Sequence, residues 1–129
     1  MNPQEPMKLS QDHLKEMAAK RRKDILRDHE KAGEIQAKAA HGYSRLLSIA
    51  ESEDTGQAQK VAKFLAATFN SRSFPLDLCE MRNLDFSIRD DMILCIDAHM
   101  RANADLYKLV PNGYARVKRV IEKWHLTTI

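Results

Sequence analysis

With 129 residues, 43% of them apolar and 30% charged, the chain can bury one core without the help of disulfides or metal. Its net charge of +3, from 21 Lys and Arg against 18 Asp and Glu, permits a nucleic-acid or acidic partner and demands neither. No apolar run approaches the ~18 residues that span a bilayer, and the first ten residues lack the apolar stretch of a secretion signal. These features read as a cytoplasmic protein with no membrane contact, in which Cys79 and Cys95 are free thiols.

Residues 1–9 read as a flexible leader. Ser10 is the expected N-cap of a helix running to about Lys31, in a stretch free of proline from Met7 to Phe74. Its charges are dense and its apolar set is thin, with Leu14, Met17, Ala18, Ile25 and Leu26, and Arg21 interrupts the stripe. A helix this polar is either a solvent-exposed arm or one that finds its apolar partner on another chain. Gly33 weakens helicity by about 1 kcal/mol relative to Ala. It is the expected break before a second helix carrying Ile35, Ala39, Tyr43, Leu46, Leu47 and Ala50. The charged region thus spans residues 10–53, as one long helix or a helix pair with the break at Gly33 favoured, and residues 54–129 make the helical core.

Asp54 and Gln57 have the form of a capping box, in which each side chain satisfies an orphan amide. The helix behind them gathers Val61, Ala62, Phe64, Leu65 and Phe69 on one face and ends near Asn70. A short helical turn is expected at residues 77–83, opened by Asp77 and Glu80. Asp85 then caps the most apolar helix, which runs to about Arg101. At about 100° per residue, Phe86, Ile88, Met92, Ile93, Cys95, Ile96, His99 and Met100 cover half its circumference. That width predicts a centrally placed helix, with His99 buried and Asp90, Asp97 and Arg101 on the wet side. A Pro-Asn-Gly turn at 111–113 precedes a last helix to His125. Tyr114, Val117, Val120, Ile121 and Trp124 form its narrow stripe, and Arg116, Arg119 and Lys123 its back.

The fold class is therefore all-α, a single-domain bundle of about five helices with a long charged N-terminal helix. The pattern Gly56-Gln57-x-x-x-Val61-Ala62-x-Phe64-Leu65, then Asp85-x-x-Ile88-x-Asp90-Asp91-Met92, resembles a small uncharacterised bacterial domain family carried by plasmids, integrative elements and prophages. The resemblance covers residues 54–100. Ala67-Thr68-Phe69 departs from the tryptophan-rich segment of such proteins, and the charged N-terminal helix lies outside the pattern. The resemblance implies a mobile-element setting and a regulatory or anti-defence role, and it carries over no site residues.

Reactive groups do not gather. Asp90 and Asp91 are adjacent, so on a helix they diverge by about 100° and cannot act as one carboxylate pair. Asp90 and Asp97 share a face but lack a third oxygen ligand for a cation. The five histidines show no H-E-x-x-H or i,i+4 pairing, no Gly-rich phosphate loop occurs, and neither cysteine has a base near it in sequence. The expectation is a protein with no catalytic centre, no metal and no cofactor.

Two binding readings remain. In the first, the N-terminal helix mediates contact with a protein partner or with a second copy through Leu14, Met17, Arg21 and Ile25. In the second, DNA or RNA binds the run Lys20, Arg21, Arg22, Lys23 together with Arg116, Arg119 and Lys123. From Leu106 onward five basic residues face one acidic, whereas residues 72–105 hold seven carboxylates against four basic groups. That segregation suits a protein partner as well as it suits nucleic acid.

Overall fold

A computed structural model describes residues 5–101 and 105–127, with side chains from residue 10 onward. Among the described residues there are four α-helices and no strand: α1 (Glu5–Ser52), α2 (Gly56–Phe69), α3 (Phe86–Arg101) and α4 (Gly113–Lys123). Single 3₁₀ turns at Leu78–Met81 and Leu106–Leu109 punctuate the two long connections. The all-α class read from the sequence holds. The chain divides into two units, residues 1–33 and 34–129.

The first unit is helical from Glu5, so Ser10 lies within α1 instead of capping it, and the leader's first four residues lie outside the described ones. Gly33 does not break the helix either; α1 is one element of 48 residues. A glycine costs a helix interior about 1 kcal/mol, and its good helix-forming neighbours Lys31, Ala32, Glu34, Gln36 and Ala37 carry the backbone through. Glu34 adds a 2.9 Å ion pair to Lys38, one turn on.

The second unit holds the core. Tyr43, Leu46, Leu47 and Ala50 of α1 meet Val61, Ala62, Phe64 and Leu65 of α2, Ile88, Met92 and Cys95 of α3, and Val117 and Val120 of α4. Leu106 from the 3₁₀ turn is fully buried among them. Tyr43 keeps its hydroxyl satisfied inside: it lies 3.1 Å from Thr68 Oγ1, whose own hydrogen goes to the Leu65 carbonyl at 2.6 Å, so the tyrosine donates.

Both expected capping signatures are rearranged. Thr55, not Asp54, is the N-cap of α2, its hydroxyl accepting from Ala58 N at 3.0 Å. Gln57 reaches out of its own helix to the start of α3. Its Oε1 accepts from Asp85 N at 2.6 Å, and its Nε2 donates to the Asp85 carboxylate at 3.0 Å. Asp77 does cap the short turn, accepting from Cys79 N at 2.9 Å, while Glu80 leaves the cap to take Lys63 at 3.0 Å. An acidic or amide side chain near a helix start thus goes to whichever donor lies closest in space. Here tertiary partners outcompete the local amides.

The end of α1 is closed from the far end of the sequence. No basic residue lies in its last turn. Lys123 of α4 supplies the missing charge: its Nζ donates to the carbonyls of Ala50, Glu51 and Glu53 at 3.0–3.1 Å and pairs with Asp54 at 3.1 Å. Trp124 Nε1 adds a 2.9 Å bond to the Ala50 carbonyl. The orphan carbonyls of a helix C-terminus and its partial negative charge are met by one ammonium and one indole.

Candidate interaction surfaces

The helix α3 is turned relative to its expected orientation. Ile88, Asp91, Met92, Cys95 and Ala98 face inward. Phe86, Ile93, Ile96, Met100 and also His99 are exposed, the phenylalanine at 74% and Met100 at 81%. The physical reason is Asp91. Its carboxylate is only 10% exposed and takes both Nε and Nη2 of Arg45, at 3.0 and 2.8 Å, in the planar fork that an arginine offers a carboxylate. Gly42, one turn before Arg45 on α1, leaves room for it, since a Cβ there would stand 3.3 Å from Asp91 Oδ1. A charge so held can occupy the inner face, and the apolar residues on the other side are left in solvent. Nothing in the local pattern marks Asp91 as inward, because its partner lies in another helix.

The exposed α3 residues form a stripe. Phe86, Ile93, Ile96 and Met100 recur at i, i+7, i+10 and i+14, a spacing that keeps them on one side of a helix meeting another helix. Arg89 occupies the i+3 place and lies over the Phe86 ring, 4.7 Å from its centre. Asp90 and Asp97 line one edge of the stripe, paired with Arg89 at 3.1 Å and with Arg101 at 2.7 Å.

In the first unit the expected residues Leu14, Met17 and Ile25 are all exposed, Leu14 and Ile25 at 59% each, and so is Leu26. Arg21 lies between them on the same side of the helix and is exposed as well. The run Lys20 to Lys23 does not form one patch, because four consecutive residues fan through about 300°. A different basic face emerges instead: Lys20, Lys23, Arg27 and Lys31 lie within about 80° of one another, all exposed.

The basic residues of α4 are otherwise engaged. Arg116 binds Glu51 through two hydrogen bonds of 2.7 and 3.1 Å, and that bond raises the pKa of its guanidinium. Lys123 is the α1 clamp described above. Arg119 is exposed, and Lys123, though exposed, is held by the α1 carbonyls. Arg116 and Lys123 thus serve the fold as structural groups.

The thiols differ sharply. Cys79 is exposed on the 3₁₀ turn, whereas Cys95 is buried beneath α1 and burial pushes its pKa up to about 12. A buried thiol so held is protonated and unreactive at neutral pH. Among the described residues no group of three His, Cys, Asp or Glu side chains converges on a point where a metal ion would sit. None of the helices among them is long and apolar enough to cross a membrane.

A family model described as a family of unknown function (DUF7673) matches residues 40–125, which are the greater part of the second unit and none of the first. No curated protein and no solved structure matches the chain.

Proposed function

The chain belongs to that family of unknown function, and we propose that it is a small bacterial accessory protein that works by protein–protein contact, with no catalytic centre of its own. The observation that carries this reading is the pair of unpartnered apolar stripes. One comprises Leu14, Met17 and Ile25 on a charged helix; the other comprises Phe86, Ile93, Ile96 and Met100 on α3. Exposed apolar residues scattered singly need no explanation, but rows rimmed by charge mark surfaces that bind other proteins. A regulatory or anti-defence role on a plasmid, integrative element or prophage rests on the resemblance of residues 54–100, and a cytoplasmic location on the composition.

The experiment is a tagged pull-down from bacterial lysate, with and without nuclease, comparing the wild type with a Leu14→Asp/Met17→Asp/Ile25→Asp variant. A nuclease-resistant protein that persists in high salt and is lost with the variant supports the reading. Identical recovery by both sinks it.

One observation favours a second reading, in which the protein binds DNA or RNA. Lys20, Lys23, Arg27 and Lys31 make an exposed basic row about 17 Å long at ~1.5 Å rise per residue. Such binding must weaken steeply as salt rises because counterions are released, and a titration series in salt tests it directly.

A further inference from the structure

We propose that the exposed stripe of α3 is the docking site for residues 14–25 of a second copy of this chain, the two helices lying antiparallel. The proposal rests on the protein-contact reading above and names its partner. It stands on how well the two stripes match in length, apolar register and charge.

The α1 stripe runs from Leu14 to Ile25 and that of α3 from Phe86 to Met100, about 17 and 21 Å at helical rise. In the antiparallel register Leu14 meets Met100, Met17 meets Ile96 and Ile25 meets Phe86. Every one of these six side chains is exposed in the single chain. Charged residues then fall on the correct edges. Antiparallel helices bring residues from the same side of each stripe together, and Lys15 and Arg22 lie on the side that meets Asp97 and Asp90. On the opposite edge Asp24 meets Arg89. Arg21, which interrupts the first stripe, lies over Ile93 with Asp90 and Asp97 within its reach. The polar residues that make α1 look unsuited to burial are thus those the rim of α3 calls for. The parallel arrangement instead sets Lys15 and Arg22 on the edge of Arg89.

Area points the same way. Specific stable association buries about 800 Å² per partner, more than a single short helical stripe supplies. Because each copy carries both stripes, exchange in both directions doubles the contact. The ion pairs Arg89–Asp90 and Arg101–Asp97 are solvent-exposed and weak, so sharing them with a second chain costs little.

The test is a charge exchange read by sedimentation equilibrium. One variant carries Lys15→Glu and Arg22→Glu, the other Asp90→Lys and Asp97→Lys. The wild type is expected at twice its 14.8 kDa chain mass. Each variant alone sets like charges against each other, which raises the dissociation constant about 100-fold or more. Mixed one to one, the variants restore both contacts and the doubled mass. Circular dichroism checks that both are folded; if the aspartate variant is not, Ile93→Arg, at an exposed position that faces Arg21 of the second copy, replaces it and must itself abolish pairing. A wild type that sediments as a single chain at 100 μM or so, a wild-type pair that survives both variants, or a mixture that stays monomeric overturns the proposal. A monomer that still captures a Leu14-dependent partner leaves the protein-contact reading intact, and one that captures nothing ends both.

Discussion

Arg45 holds Asp91 across 46 residues of sequence with two nearly parallel hydrogen bonds, and this pair sets which way α3 faces. The guanidinium is raised in pKa chiefly by that bond. Its own side chain is 59% exposed, so the carboxylate is buried by the protein on one side and by the arginine on the other.

Replacing Arg45 with Met keeps the stem and removes the fork, leaving a buried carboxylate without its partner. The expected loss is about 1.5–3 kcal/mol of unfolding free energy, read from the urea midpoint at pH 7. An unchanged midpoint would show that water replaces the arginine at no cost.

Lys123→Met tests the α1 clamp. The Glu51 and Glu53 carbonyls and the Asp54 carboxylate lose this donor, Ala50 keeps Trp124, the aliphatic packing stays, and the expected cost is about 1–3 kcal/mol. Amide exchange in the last turn of α1 should quicken in the same variant, and a uniform effect across the bundle would argue against a local clamp.

Alanine at two glycines should act with opposite sign. At Gly33 a Cβ meets nothing within 4 Å, so Gly33→Ala is expected to add about 1 kcal/mol of helix stability, seen as a gain in helical ellipticity. At Gly113 a Cβ would lie 1.9 Å from the Tyr107 carbonyl oxygen, a backbone atom that cannot step aside. Gly113→Ala is expected to lower the melting temperature by several degrees or more.

The core pattern of α2 was readable because its contacts follow its own periodicity: Val61, Ala62, Phe64 and Leu65 lie inward as their spacing requires. Phe64→Ala should cost about 3–5 kcal/mol in a thermal or urea melt. The stripes of Tyr43, Leu46, Leu47 and Ala50 in α1 and of Val117 and Val120 in α4 were readable for the same reason. What sequence could not show were choices made between distant groups. Gln57 prefers Asp85 to its own N-cap, Lys123 prefers the α1 carbonyls to solvent, and Asp91 enters the core because Arg45 awaits it. Each overrides a local preference with a partner 28 to 72 residues away. The exposed apolar rows are half legible: Leu14, Met17 and Ile25 stand outside as their thin, charge-flanked pattern predicts, while the α3 row reads as core in the sequence.

Alkaline pH should destabilise the fold. Burial pushes the Cys95 thiol and the Tyr43 hydroxyl each up to about 12, from ordinary values of 9.0 and 10.0. Between those values and 12 the folded chain binds more protons than the unfolded one, so stability falls as pH rises. The contribution is intact below pH 9. Urea midpoints at pH 8 and 10.5 should differ in that direction, and Cys95→Ala should reduce the difference. At pH 7.5 a thiol reagent should label Cys79 and spare Cys95 until urea is added.

The clamp on α1 also orders events in time. Ala50 and Glu51 leave the ribosome more than 70 residues ahead of Lys123 and Trp124, which close their carbonyls. Contacts this distant in sequence form late, and the bundle cannot complete its packing until α4 has been made. Until synthesis reaches α4, the nascent protein carries an open helix end and the unburied faces of Tyr43 and Leu46, which are the surfaces a chaperone would meet first.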